Sequence, residues 1–215
     1  MKRTITFLFL ACIGSLAFAQ NDAKAKQLLD EVSKKMNTYS NIYATFAYKL
    51  DNNQENVHQE TKGDVTMKGD LYNVNFMGTR QIYDGKKVYT IIDEDEEVNI
   101  SNIDPNSDDA VTPSRFFSFY KNGFTYKWDI LQNVSGRKIQ YIKLIPIDSK
   151  SEINNILLGI DIGTNHIYRL IETGNNGTTT TLTINDFKTD QALPNSLFAF
   201  DENRYKSQGY IINNL

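Results

Sequence analysis

Ala25, Leu28, Leu29, Val32 and Met36 recur at helical spacing, with charged residues between them. That pattern predicts one amphipathic helix over roughly Asp22 to Thr38, with Asn21 or Asp22 as its N-cap. The period then changes from 3.6 to 2. In "NIYATFAYKL", Ile42, Ala44, Phe46, Tyr48 and Leu50 fall on one face of a strand. Further strand patterns follow in close succession: "GDVTM", "LYNVNF", "RQIY", "KVYTII" and "VNIS". Asp84-Gly85 marks a hairpin turn between two of them, because such a turn demands positive φ. A second series comprises "FTYKWDIL", "KIQYIKLIPI", "NILLGIDI", "HIYRLIET" and "TTTLTINDF", separated by "NVSGR", "GTN" and "GNNG". About eleven strands result, read as one antiparallel meander, with "GYIINNL" as a last edge strand.

The two series are interrupted by the longest connection in the chain, and it carries "TPSRFFSFYKNGF", Thr112 to Phe124. Thr-Pro and Asn-Gly punctuate a short helix there. On a helical wheel Phe116, Phe117, Phe119 and Tyr120 span an arc of roughly 160°, wider than the ~100° stripe that seats a surface helix. A sheet this wide curls and must cover its apolar face, yet the chain has few helices to cover it. The pattern favours a strongly curved, barrel-like antiparallel sheet with helices plugging its mouth over an ordinary sandwich.

The N-terminus reads differently from the rest. Lys2 and Arg3, an apolar run from Ile5 to Ile13, and Ala17-Phe18-Ala19 before Gln20 form a secretory signal peptide, residues 1–19. Residues 20–215 are then expected as a single mature domain, soluble and exported across the inner membrane. Losing Lys2 and Arg3 leaves 21 basic against 26 acidic residues, a net charge of −5. That balance argues against nucleic acid as a partner. Cys12, the only cysteine, leaves with the signal peptide, so neither disulfide nor thiolate chemistry is expected.

Catalytic chemistry is thinly represented. His58 and His166 lie far apart and are read as solvent-exposed side chains rather than a metal pair. The acidic run Asp93 to Glu97 is read as a solvated hairpin turn. Asp104 to Asp109 begins like a calcium loop but lacks the glycine and glutamate such a loop needs. No nucleophile elbow, Walker loop or dinucleotide fingerprint occurs. The expectation is a protein without cofactor or metal, and not an enzyme.

The aromatic load is heavy, with twelve Phe and twelve Tyr against one Trp. Phe46 and Tyr48, then Tyr72, Val74 and Phe76, then Phe124, Tyr126, Trp128 and Ile130 alternate along their strands. Such a face is either the filled core of a sheet or the wall of a cavity for an apolar ligand. Periodicity does not separate the two.

Taken in order, these pieces resemble the periplasmic outer-membrane lipoprotein carriers, the LolA family, over essentially the whole mature chain. The shared features are an N-terminal helix, Ile42-Tyr43-Ala44-Thr45-Phe46, a "G-x-V-x-M-K" strand from Gly63 to Lys68, the "I-x-D-G-K-x-V-Y" hairpin from Ile82 to Tyr89, an internal helix, and "L-P-x-S-x-F-x-F" from Leu193 to Phe200. The resemblance implies an incompletely closed, eleven-stranded barrel with a helical lid over an apolar cavity. It implies acylated lipoproteins as cargo, released by an inner-membrane ABC transporter and handed by a monomeric carrier to an outer-membrane receptor. Phe46, Tyr48, Tyr72, Val74, Phe76, Phe116, Phe117, Phe119, Tyr120, Tyr126, Trp128 and Ile130 are the expected acyl-chain and lid residues. The sequence departs from the family where Ala47 and Tyr48 replace its usual glutamine. Lys68 stands near the family's lid-latching arginine, without that residue's planar fork. The alternatives are an envelope lipid- or lipoprotein-sensing module on the same scaffold, a small hydrolase using dispersed carboxylates, and a structural protein with a filled core.

Overall fold

The computed structural model describes residues 22–102 and 113–215. The stretch read as a signal peptide, Asn21, the segment Asp104 to Asp109 and Thr112 lie outside the described residues. The amphipathic pattern forms helix α1 over 22–36. Its apolar stripe is buried as predicted, with Ala25 and Val32 fully inaccessible.

All eleven predicted strands form. The first series is β1 (Ile42–Asn52), β2 (Val57–Lys68), β3 (Leu71–Phe76), β4 (Thr79–Tyr83), β5 (Val88–Ile92) and β6 (Glu97–Ser101). The second is β7 (Phe124–Val134), β8 (Arg137–Pro146), β9 (Ile153–Asp161), β10 (His166–Gly174) and β11 (Thr179–Thr189). A short helix, α2 (Pro113–Phe116), lies between the two series. A twelfth strand, β12 (Ile211–Asn214), is the edge strand expected from the tail, and it lies parallel to β6. The Asp84-Gly85 turn forms with Gly85 at φ 95°, and the Asp84 carboxylate accepts from the Lys86 and Lys87 amides. The acidic run occupies the β5–β6 turn.

The expectation of one meander is corrected. The strand order is β12-β6-β5-β4-β3-β2-β1-β11-β10-β9-β8-β7, so two meanders are joined where β1 pairs with β11. That ladder runs from Ile42↔Thr189 to Asp51↔Thr179 and slips once, between Thr45 and Phe46. Local pattern reports the strands but not this pairing, which is set by how the curved sheet buries its apolar face. The sheet is open, with β12 and β7 as its edges. Its connection from β6 to β7 therefore joins strands near opposite ends of the sheet.

One face of the sheet packs with α1. Ile42, Ala44 and Phe46 of β1 share a core with Val65 and Met67 of β2, and with Ile142, Leu158, Ile167 and Ile184 from the second meander. A separate core at β4–β6 buries Ile82, Ile91, Val98 and Ile100 under the C-terminal tail. That tail, read in the sequence only as an aromatic segment, forms a 3-10 turn (Asn195–Phe198) and a helix, α3 (Glu202–Ser207). Asp201 caps α3 by accepting from the Arg204 amide. Phe200 stacks between Tyr89 and Tyr205 at 4.4 and 5.2 Å.

One glycine is required by close approach. Gly63 lies opposite Phe46 on β1 and Phe76 on β3. A Cβ there would stand 2.5 Å from Phe46 Cζ and 2.7 Å from the Asn75 carbonyl oxygen. The glycine of the "G-x-V" strand thus makes room for the Phe46 ring. Gly63→Ala is expected to cost about 1–3 kcal/mol, seen as a lower urea midpoint. Adding Phe46→Leu should cost less than the two changes summed, since the smaller side chain relieves part of the clash.

Candidate functional site: an apolar cavity under an aromatic cover

β11, β1, β2, β3 and β4 are consecutive in the sheet, and their packed face forms one wall of a cavity of about 290 Å³. Phe46, Val74 and Phe76 line it, and Ala44, Val65, Leu182 and Ile184 add to the wall. Pro113, Phe116 and Phe117 close the other side. The rings of Phe46 and Phe76 stand 5.4 Å apart, and Tyr48 meets Phe76 edge-on at 5.3 Å. Among the described residues, only Thr79 and Gln81, on β4, bring polar side chains to the lining.

The cover is not the single helix predicted. It is the one helical turn of α2, followed by a 3-10 turn (Phe119–Lys121). Phe, Ser and Asn are weak helix formers, and a helix this short is marginal without packing. Tertiary contacts decide instead, and each ring is seated separately. Phe116 and Phe117 meet edge-on at 5.2 Å, and Phe117 reaches Phe187 of β11 at 6.3 Å. Phe119 packs on Phe124 of β7 at 6.0 Å. A wheel drawn through the segment therefore misplaces its aromatics.

The cover is fastened by hydroxyl groups. Tyr120 is 1% exposed, and its hydroxyl lies 2.9 Å from Ser33 Oγ on α1, in a buried hydrogen bond. Burial pushes the Tyr120 phenol up, so it stays protonated. Tyr126 of β7 donates to the carbonyls of Tyr120 and Lys121 at 2.8 and 3.1 Å. Ser33 sits on the apolar side of α1, and this was not legible in the sequence. A serine within a leucine stripe was the only signal for it.

The remaining predicted residues lie outside the cavity lining. Tyr48 is half-buried at its border, and Tyr72 is buried against Tyr83, ring centroids 5.6 Å apart. Phe119, Tyr120 and Tyr126 belong to the cover and its fastening. Trp128 and Ile130 are 36% and 55% exposed. They lie on the edge strand β7, whose register with β8 slips between Trp128 and Leu131. Inward-outward alternation does not survive such a slip. Lys68 is exposed, makes no ion pair among the described residues, and borders a separate groove with Leu193, Pro194 and Phe198 of the tail.

Of the two histidines, His58 is exposed and bonded to Asp51 at 2.9 Å. His166 departs from the expectation of exposure. It is half-buried, with Nε2 2.7 Å from the Tyr39 hydroxyl and its ring 4.4 Å from that of Phe187. Burial, then the nearby Lys35, lowers its pKa. No group of three His, Cys, Asp or Glu is placed to hold a metal among the described residues. No helix among them is long and apolar enough to cross a membrane.

No protein-family model and no curated relative matches the sequence. Among solved structures, the chain is similar to an uncharacterized conserved protein from Thermus thermophilus. The two share 12% identity at a TM-score of 0.60, over 89% of this chain and 99% of that one. It is also similar to LprF from Mycobacterium bovis, at 13% identity and a TM-score of 0.48, over 80% of this chain and 97% of that one. A LolA superfamily protein from Nitrosomonas europaea aligns at 11% identity and a TM-score of 0.44, over 82% of this chain and 97% of that one. The likeness to the Thermus protein is one of fold.

Two outcomes are expected from this geometry. Tyr120→Phe or Ser33→Ala each leaves a buried hydroxyl group unpaired and should destabilise by about 1–2 kcal/mol, whereas the double variant should lose less than the sum. A double-mutant cycle in urea measures it. His166, with its lowered folded pKa, binds fewer protons folded than unfolded. The stability this contributes is full above about pH 6.5 and lost as pH falls through the folded pKa. His166→Gln should flatten the dependence of the thermal midpoint on pH in that window.

Proposed function

We propose that this protein is an envelope carrier of the LolA kind, which takes acyl chains of lipoproteins into the cavity and carries them between membranes. In this reading the chain is exported by its signal peptide, residues 1–19. An inner-membrane ABC transporter loads it, and it delivers to an outer-membrane receptor. The observation that carries the proposal is the aromatic cover lying on an apolar cavity between the two meanders. The ordered motifs that resemble the LolA family agree with it.

The energetics fit a carrier. Each buried methylene is worth about 0.8 kcal/mol, so sheltering whole acyl chains in an empty cavity would approach irreversible binding. The cavity's 290 Å³ lies at the small end of ligand sites, which begin near ~300 Å³. Several chains require the cover to swing aside. Cargo must then displace Phe116 and Phe117 from a wall they already satisfy, which offsets part of the gain and permits release.

The test is to purify the exported protein from the envelope of its own host and examine it by mass spectrometry. Co-purifying triacylated lipoproteins and a mature N-terminus at Gln20 are expected. A clean protein that also takes up no lipoprotein from inner-membrane vesicles would overturn the proposal.

A further inference from the structure

Among the described residues lining the cavity, ten carry apolar side chains and none carries a charge. The two others, Thr79 and Gln81, are alternate residues of β4 and bring their side chains to the same cavity. Among the described lining residues, polarity is thus confined to one strand. Thr79 is already engaged, since its hydroxyl donates to the Phe76 carbonyl at 2.9 Å. Gln81 is different. It is half-buried, it pairs with Val74 on β3 and Thr90 on β5 through the backbone register, and its carboxamide makes no hydrogen bond to a described residue.

A primary carboxamide offers two N–H donors and one carbonyl acceptor. Set alone beside an apolar wall, it can satisfy one neutral carbonyl of a ligand whose remainder is hydrocarbon. It cannot neutralise a carboxylate. Neither Arg80 nor Lys68 lines the cavity. Arg80 precedes Gln81, so its side chain leaves the opposite face of the strand, where Nε donates to Asn73 Oδ1 at 3.2 Å. Lys68 borders the tail groove instead. An ionised headgroup drawn into this cavity would lose its water and meet no cationic side chain among the described lining residues, which is costly.

We infer that Gln81 reads the carbonyl of an ester- or amide-linked acyl group, and that the cavity selects such neutral acyl groups against free fatty-acid anions. This rests on the reading of the cavity as an acyl-chain site and adds the chemical class it accepts. The hydrocarbon lies along β11, β1 and β2, where the lining is Leu182, Ile184, Ala44, Phe46 and Val65. The carbonyl lies at β4. Because the Gln81 side chain has no partner to lose within the described chain, replacing it should leave the fold intact.

The experiment measures binding of methyl palmitate, N-methylpalmitamide, palmitate and hexadecane to the full mature protein near pH 8, where a carboxyl with a reference pKa of about 4 is ionised. The ester and amide should bind at least about tenfold tighter than palmitate or hexadecane. Gln81→Leu should lose about that tenfold for the ester and leave hexadecane unchanged, while Gln81→Lys should gain palmitate. Urea midpoints equal to that of the parent protein establish that both variants are folded. Displacement of the ester by a triacylated lipopeptide or by a diacyl phospholipid, weakened by Gln81→Leu, supports the inference and tells which source supplies the carbonyl. Palmitate binding as tightly as the ester would overturn it while leaving the acyl-chain cavity standing. So would an ester preference that survives Gln81→Leu. Failure of every ligand, hexadecane included, would overturn the cavity reading and this inference together.

Discussion

A wide, curved sheet with one apolar face cannot leave that face to water, and the described residues hold a single long helix to cover it. α1 seals part of the face with the stripe from Ala25 to Met36. The rest falls to the connection between the two meanders. Because β1 pairs with β11, that connection runs between strands near opposite ends of the sheet, and α2 with its following 3-10 turn lies on the cavity. The architecture of the site follows from that pairing.

The cover combines two kinds of contact with different consequences. Ring packing is apolar and tolerant of geometry, so Phe116 and Phe117 suit a surface that can exchange protein for ligand hydrocarbon. Hydrogen bonds are directional and costly to leave half-made. The Ser33–Tyr120 bond and the two bonds from Tyr126 hold the far end of the cover, while Phe116 and Phe117 at the cavity end are seated by ring contacts. Phenol and serine hydroxyls supply the anchor seen among the described residues.

Much of the molecule was legible in the sequence where structure follows from a local period. The stripe of α1, the eleven alternating strands and the turn at Asp84-Gly85 depend on neighbours two, three or four residues away, which sequence order displays. Phe46, Val74 and Phe76 were found in the same way. The outliers share a cause as well. Trp128 and Ile130 continue the alternation of Phe124 and Tyr126 but lie on an edge strand with a slipped register. His166 sits at a strand start like any surface residue, yet Tyr39 and Phe187, from distant segments, enclose it.

By itself the sequence determined the elements and the aromatic character of the connection, because each rests on residue identity and short-range spacing. Tertiary structure decided which strands are neighbours, which side of the sheet the cover lies on, and that Gln81 stands unengaged among the described residues of an apolar wall. Those depend on contacts such as Ala44 with Phe187 and Ser33 with Tyr120, which link residues far apart in the chain. No local period encodes a partner that far away.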